Sequence, residues 1–374
     1  MSGRFIPVAA PVLAGNEKLY VLDCIESSWI SSCGKYVERF ERAFAEFCGV
    51  RHAVSCNSGT AALHVALLAL GVGPGDEVIV PTLTFVATAN AVTYCGARPR
   101  FVDIEPDTWT LDPGLIEAKI TARTKAILPV HLYGCVANMD AITEIARRHN
   151  LFVLEDAAEA HGAEFRGRRV GSLNDVAAFS FYGNKIITCG EGGMVVTDSE
   201  EIGRYAAQLR GQGMDSERRY WFPIIGYNYR MPNLTAAVGL AQLERIDWHV
   251  KRRREVGSWY RELLRDVPGI RWQAEKDGRG NVDWLFTIVL EEPIRVSRDV
   301  VIARLAECGV ETRSVFYPMH LLPPYVGMGK QDGAFPVAEQ VARSGFSLPT
   351  WAGLQREDVV YVCDALRDCI GKAN

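Results

Sequence analysis

The chain has 374 residues, 48% hydrophobic and 23% charged, with a formal net charge of −4. That length holds one large domain plus a smaller one, and the composition is that of an ordinary globular enzyme. It excludes a broad basic field for nucleic acid, and no run of about 18 apolar residues offers a membrane span. The clusters Arg218-Arg219 and Lys251-Arg252-Arg253-Arg254 read as solvated helix faces. Ten cysteines lie between Cys24 and Cys369 with no C-x-x-C pair. They read as reduced core residues of an intracellular protein, so no metal site is expected. The first residues carry no apolar stretch of signal-peptide length, and a cytoplasmic location is the expectation.

In chain order, Ala53-Val54-Ser55-Cys56 predicts a strand leading into a helix from Thr60 to Leu70. Glu77 to Val80 predicts a second strand, followed by a helix near Phe85 to Tyr94. Arg100 to Asp103, Ala126 to Val130 and Leu151 to Leu154 continue the strands. Between the last two, Met139 to His149 carries Ile142, Ile145 and Ala146 at the spacing of one helix face. Val176 to Phe181 and Met194 to Thr197 follow, then a helix from Ile202 to Arg210. Strands apolar throughout, separated by helices, predict an α/β fold with a mostly parallel sheet covered on both faces. Catalytic groups in such sheets gather at the carboxyl ends of the strands.

Gly211 to Pro232 is a long stretch rich in glycine, arginine and aromatics, a length usual for a functional or partner-contacting loop. One long helical pattern runs from Leu234 to about Tyr260. The remainder predicts a small α+β unit: a strand from Trp284 to Leu290 and helices at Ser297 to Cys308 and Glu357 to Ile370. The expected division is 1–250 for the large domain and 251–374 for the small one.

Lys185 sits in Ser180-Phe181-Tyr182-Gly183-Asn184-Lys185, and Asp156 ends the apolar strand upstream. A half-buried lysine amine and a strand-end carboxylate about 30 residues apart suit a pyridine aldehyde cofactor. The amine forms a Schiff base, and the acid keeps the ring nitrogen protonated. Burial among Phe179, Phe181, Tyr182, Ile186 and Ile187 would lower the lysine's pKa and free its amine. Asn57-Ser58-Gly59-Thr60, between strand and helix, offers backbone N–H groups to an anion, although a plain serine cap explains the same residues. Asp156 also reads as a helix cap, and Phe85 as either a flat wall for a ring or core packing. Glu159 shares a helix face with Asp156, as a cofactor-positioning acid or an ordinary first-turn one. His131 and His161 are candidate acid–base groups or satisfied histidines. Gly71 to Asp76 follows a helix and precedes a strand, the wrong order for a dinucleotide fingerprint.

Taken together, these stretches resemble the DegT/DnrJ/EryC1/StrS family of sugar aminotransferases, of the aspartate-aminotransferase-like fold (pyridoxal-phosphate fold type I). The resemblance is carried by Trp29-Ile30-Ser31-Ser32, Asn57 to Thr60, Pro81 to Phe85 and Pro129 to Gly134. It continues through Glu155 to Ala160, Ser180 to Lys185 and Gly226 to Met231, in the family's order. It implies pyridoxal 5′-phosphate, with pyridoxamine phosphate between half-reactions, Lys185 as the covalent anchor and Asp156 on the pyridine nitrogen. Phe85 would stack on the ring, and Ser58, Gly59, Thr60 and Ser180 would hold the phosphate, with Glu159 nearby. Asn228 would reach that phosphate from the other subunit of a homodimer with shared active sites.

Arg210 to Asp215, Arg219 to Ile224 and Phe316 to His320 resemble the branch that aminates C4 of GDP-4-keto-6-deoxymannose with L-glutamate. That branch serves deoxyaminosugar and O-antigen biosynthesis. It would place Arg219, Tyr220, Trp221, Arg230, Tyr317 and His320 around the substrate. Alternatives are a 3- or 4-aminotransferase on a UDP- or dTDP-linked keto sugar, and a dehydratase on the same fold. The dehydratase branch has histidine where this chain has Lys185. A cofactor-binding regulator would need an appended DNA-binding module, for which no residues are spare.

Overall fold

The computed structural model describes residues 4–371. Helices α1 (Glu17–Glu26) and α2 (Lys35–Cys48) precede the first strand, β1 (His52–Cys56). The alternating series follows: α3 (Gly59–Ala69), β2 (Glu77–Pro81), α4 (Val86–Tyr94), β3 (Arg98–Val102), β4 (Thr124–Ile127), α5 (Met139–His149) and β5 (Phe152–Asp156). A hairpin, β6 (Glu164–Phe165) and β7 (Arg168–Arg169), leads to β8 (Val176–Ser180) and β9 (Gly193–Thr197). These elements lie within a few residues of the sequence expectation, because each carries its own local signal. Helix α5, for example, is capped by the Asn138 side chain, has three basic residues in its last turn and ends on left-handed Asn150.

The large sheet has seven strands in the order β1-β9-β8-β5-β4-β2-β3. From β8 to β3 all neighbours are parallel, whereas β9 runs antiparallel to both β1 and β8. Strands β2, β8 and β9 are buried along their whole length, as expected for a sheet covered on both faces. Reversal of β9 puts its first residue, Gly193, beside the last residues of β1 and β8, pairing with Cys56 and Ser180. One edge therefore collects Cys56, Pro81, Asp156, Ser180 and Gly193.

The predicted single helix from Leu234 to Tyr260 is two helices, α6 (Glu200–Arg210) being followed by α7 (Asn233–Leu243) and α8 (Ile246–Leu264). No glycine or proline marks the break. At the break, Asn16 and Tyr20 both bond the Glu244 carboxylate, at 2.7 and 2.6 Å, and α7 packs on α1 and α2. Beyond the break, α8 serves two hydrophobic clusters, Ile246 and Val250 in the first and Val256, Tyr260 and Leu264 in the second.

The second cluster lies under a four-stranded antiparallel sheet of order β10-β11-β13-β12. Its strands are β10 (Ile270–Trp272), β11 (Phe286–Leu290), β12 (Arg313–Ser314) and β13 (Gly345–Leu348). Helices α9 (Arg298–Glu307) and α12 (Arg356–Gly371) supply the rest of that cluster, whereas α10 (Val326–Asp332) packs on β3 and α11 (Pro336–Ser344) meets β11 and β13. Among the described residues no helix is long and apolar enough to cross a membrane.

Candidate active site

A cavity of about 520 Å³ opens at the collected strand ends. One end is built by the turn from β1 into α3. Ser58 caps that helix, its Oγ accepting from the Ala61 N–H at 3.1 Å, while the Ala62 N–H goes to the Ser58 carbonyl. The N–H groups of Gly59 and Thr60, both lining the cavity, are left outside the helical ladder. Glycine is required here by close approach. A Cβ on Gly59 would sit 2.6 Å from that of Ser180, and one on Gly193 would sit 2.2 Å from the Ser58 carbonyl oxygen. Three strand ends are thus pinched together around a helix start, an arrangement that attracts anions.

Asp156 lies deeper, 5% exposed, at the end of β5. Its Oδ2 accepts from Thr88 Oγ1 at 2.7 Å and its Oδ1 from the Ala158 N–H at 3.2 Å. Burial pushes its carboxyl up, opposed by those two donors and by the charge of Lys185. The preceding acid, Glu155, points to the other side of the strand and is structural. It accepts from the Gly171 and Leu173 N–H groups and meets His131 Nε2 at 3.1 Å. His131 Nδ1 accepts from the Ala137 N–H, so the ring is a strut rather than a cavity group. His161 is packed among Phe44, Phe179 and Phe181, and burial holds its pKa down at about 3. Neither histidine lines the cavity.

Lys185 projects into the cavity from the turn after β8, with its side chain 11% exposed. Its Nζ lies 3.5 Å from Glu159 Oε1 and 3.9 Å from the centre of the Trp284 ring. Burial lowers the lysine's pKa against the pull of Glu159 and Asp156. Glu159, whose Oε2 accepts from the Tyr133 N–H at 2.7 Å, is raised by burial to about 7 despite the nearby lysine. Both shifts favour the neutral amine, the form that acts as nucleophile and base.

The raised acid has a consequence for folding. Between about pH 4.5, where an unfolded glutamate ionises, and about pH 7 the folded chain keeps a proton the unfolded chain has lost. Through this group, stability falls as pH rises across that window, by at most about 1.4 kcal/mol per unit. Glu159→Gln keeps an acceptor for Tyr133 and is expected to flatten the slope, measured by urea unfolding at pH 5 and pH 7. An unchanged slope would show that Glu159 titrates normally.

Trp284 comes from the segment before β11, and its Nε1–H donates to the Asn184 carbonyl at 2.8 Å. Its ring stacks on Tyr133 at 6.2 Å, Tyr133 on Phe316 at 5.7 Å, and Phe316 meets Phe85 at 5.6 Å. This aromatic wall runs from the lysine to the mouth, where Arg313 of β12 also lines the cavity.

The structure therefore brings together Ser58, Gly59, Thr60, Phe85, Asp156, Glu159, Ser180 and Lys185. Sequence reasoning missed Thr84, Thr88, Trp284 and Arg313, which line the same cavity, and Tyr133 behind it. Thr84 and Thr88 did carry a signal, two hydroxyls four residues apart in an apolar stretch. The substrate candidates lie elsewhere in the single chain. Arg219 and Tyr220 bond each other at 3.0 Å on the long loop, Trp221 lies beneath Arg218 at 4.3 Å, and Tyr317 is 70% exposed. Exposed Asn228 accepts from Arg230 Nε at 3.2 Å. His320 is buried, bonded to Thr82 at 2.7 Å and stacked on Phe335 at 4.4 Å.

A seven-stranded sheet of this order, with a buried acid and a buried lysine at one edge, is the frame of a fold-type-I aminotransferase. The family model for DegT/DnrJ/EryC1/StrS aminotransferases matches residues 11–367. The chain belongs to that family. It is 54% identical to GDP-perosamine synthase of Caulobacter vibrioides over 363 residues, 96% of this chain and 97% of the relative. Among solved structures, S. venezuelae DesV in complex with a ketimine intermediate superposes with a TM-score of 0.90 and 40% identity, covering 96% of this chain and 95% of that one. The PLP-form of the sugar aminotransferase Spr1654 from Streptococcus pneumoniae gives a TM-score of 0.92 at 28% identity, covering 99% of each chain.

Proposed function

We propose that this aminotransferase uses pyridoxal 5′-phosphate to move the amino group of L-glutamate to C4 of GDP-4-keto-6-deoxymannose, giving GDP-perosamine. The observation that carries the reading is the single cavity in which a helix start, a buried carboxylate and a buried lysine line one space. Its volume of about 520 Å³ suits a small-molecule cofactor and part of a substrate. The similarity to GDP-perosamine synthase across nearly the whole chain supports the particular sugar nucleotide.

When bound, pyridoxal phosphate supplies a carbon that links covalently to amines and a ring that draws electrons from the bond being broken. The α3 start, with Ser58, Gly59, Thr60 and Ser180, binds its phosphate. Asp156 holds the proton on the pyridine nitrogen, and Phe85 offers a flat face at the mouth. Lys185 would anchor the cofactor through Nζ and would hold or move a proton at that atom. Glu159 and Trp284 hold that atom in place. The aromatic wall excludes water on one side, which strengthens every charge interaction within.

The active unit is read as a homodimer with shared sites, in the cytoplasm. Asn228 of one subunit completes the other's phosphate site, and Arg219, Tyr220, Trp221, Arg230, Tyr317 and His320 serve the sugar nucleotide. Supporting this, Trp29, Tyr220, Trp221, Phe222 and Tyr317 are each at least half exposed in the single chain. The test is incubation with glutamate and a panel of keto sugar nucleotides, reading products by mass and NMR. Amination at C4 of the GDP sugar is expected. Turnover of UDP- or dTDP-keto sugars alone would overturn the substrate, and deoxygenation without amine transfer would indicate a dehydratase.

A further inference from the structure

Thr84 stands just before the Phe85 cap of α4 and Thr88 in its first turn, 1% and 0% exposed. Their hydroxyls are 2.8 Å apart, and Thr88 Oγ1 is 2.7 Å from Asp156 Oδ2. A helical threonine usually returns its hydroxyl to the carbonyl four residues back, as Thr93 does to Ala89 at 3.1 Å. Thr88 instead reaches an acid 68 residues away in the chain. The charged or titratable groups that act on that acid are Lys185, Glu159 and His131. None of them donates a hydrogen bond to it in this arrangement.

Proton counting fixes the direction of this chain of hydroxyls. An ionised carboxylate only accepts, so Thr88 must spend its one hydrogen on Asp156. Its oxygen is then free to accept, and Thr84 must donate to it. Two aligned O–H dipoles thus point at Oδ2, each polarising the next. No other hydroxyl bonds Asp156 among the described residues.

We propose that Thr88, backed by Thr84, is a positioning residue for Asp156: the relay keeps the carboxylate ionised and aimed at the ligand. The proposal rests on reading the cavity as the pyridoxal phosphate site. Neither threonine is given a step in the reaction. Their effect passes through the bond between Asp156 and the pyridine nitrogen.

The test compares cofactor retention and the visible spectrum of the purified holoenzyme. Thr88→Val, nearly the same shape, removes a hydrogen bond to a charged group. It is expected to weaken retention about ten- to a hundredfold and to diminish the visible band relative to the near-ultraviolet one. Thr88→Ser should restore both, which a packing role would not predict. Thr84→Ala should cost a few-fold in the wild-type background and nothing further on top of Thr88→Val. Equal retention and spectra in Thr88→Val, or the same Thr84→Ala loss in both backgrounds, would overturn the relay. Should Thr88→Val not fold, Thr88→Ala against Thr88→Ser carries the same comparison. A wild-type chain that takes up no pyridoxal phosphate would instead overturn the functional reading.

Discussion

Replacing Lys185 by alanine is expected to abolish covalent capture of pyridoxal phosphate and to lower turnover by at least about 10²–10⁴-fold. The lysine's nearest charged neighbour is Glu159 at 3.5 Å, and its amine lies over the Trp284 ring, so its position is defined on two sides. Burial lowers its pKa against the pull of Glu159 and Asp156, which favours the neutral amine. Among the described residues no other lysine lines the cavity. Borohydride reduction followed by peptide mass analysis should tag the peptide holding Lys185 in the wild type and no peptide in the variant. The cofactor is expected to remain held without the covalent link, since the phosphate cradle and Asp156 are untouched. A tag on a different lysine, or turnover surviving in Lys185→Ala, would refute the assignment.

Gly193→Ala should damage both fold and site. The added Cβ would meet the Ser58 carbonyl oxygen at 2.2 Å, its carbon at 2.5 Å and the Gly59 nitrogen at 2.8 Å. All three are backbone atoms, so no side-chain rotation relieves them. Strand β9 must move away from the β1–α3 turn, which separates Ser58 and Gly59 from Ser180. Overpacking of this kind costs about 1–3 kcal/mol or more. The melting temperature should fall by several degrees, and the rise that added cofactor gives should shrink with the lost affinity. Gly183→Ala is the control: it lies in the same region, has no left-handed φ, and its nearest contact is 3.9 Å away. Equal melting behaviour of the two variants would mean that the pinch at Gly193 is not what shapes the cradle.

Both expectations were partly legible in the sequence. Strand-end Asp156 and Lys185 announced themselves because each stood beside an apolar run that fixed its burial, α3 and α5 carried their own caps, and α5 its one-face periodicity. The second partner at each position was not legible. Trp284 meets the Asn184–Lys185 turn from about a hundred residues away, and it read only as the start of a strand. Thr88 looked like a small residue in an apolar helix, and nothing local says where its hydroxyl points. The break between α7 and α8 carries no glycine or proline, and residues near the N-terminus meet it at Glu244, so no local rule predicts it. Short strands such as β12, with two residues, exist only through pairing with β13. His320 stood in a stretch resembling substrate-binding sequence, but its ring is spent on Thr82, Glu339 and Phe335.

Adjacent Glu155 and Asp156 carry a consequence for how this chain tolerates change of length. They differ by one methylene, yet the pleat sends one to a buried strut and the other to the cavity. Removing or adding a single residue between Asn150 and Leu154 would turn every following side chain of β5 over. An added residue would put Glu155 at the cavity position and Leu154 before the donors at Gly171 and Leu173, whereas a removed one would put Ala157 at the cavity and Asp156 before those donors. The short link from α5 into β5 is therefore a spacer whose count is set by chemistry. Unlike most surface connections, it should refuse insertions that leave the fold itself intact.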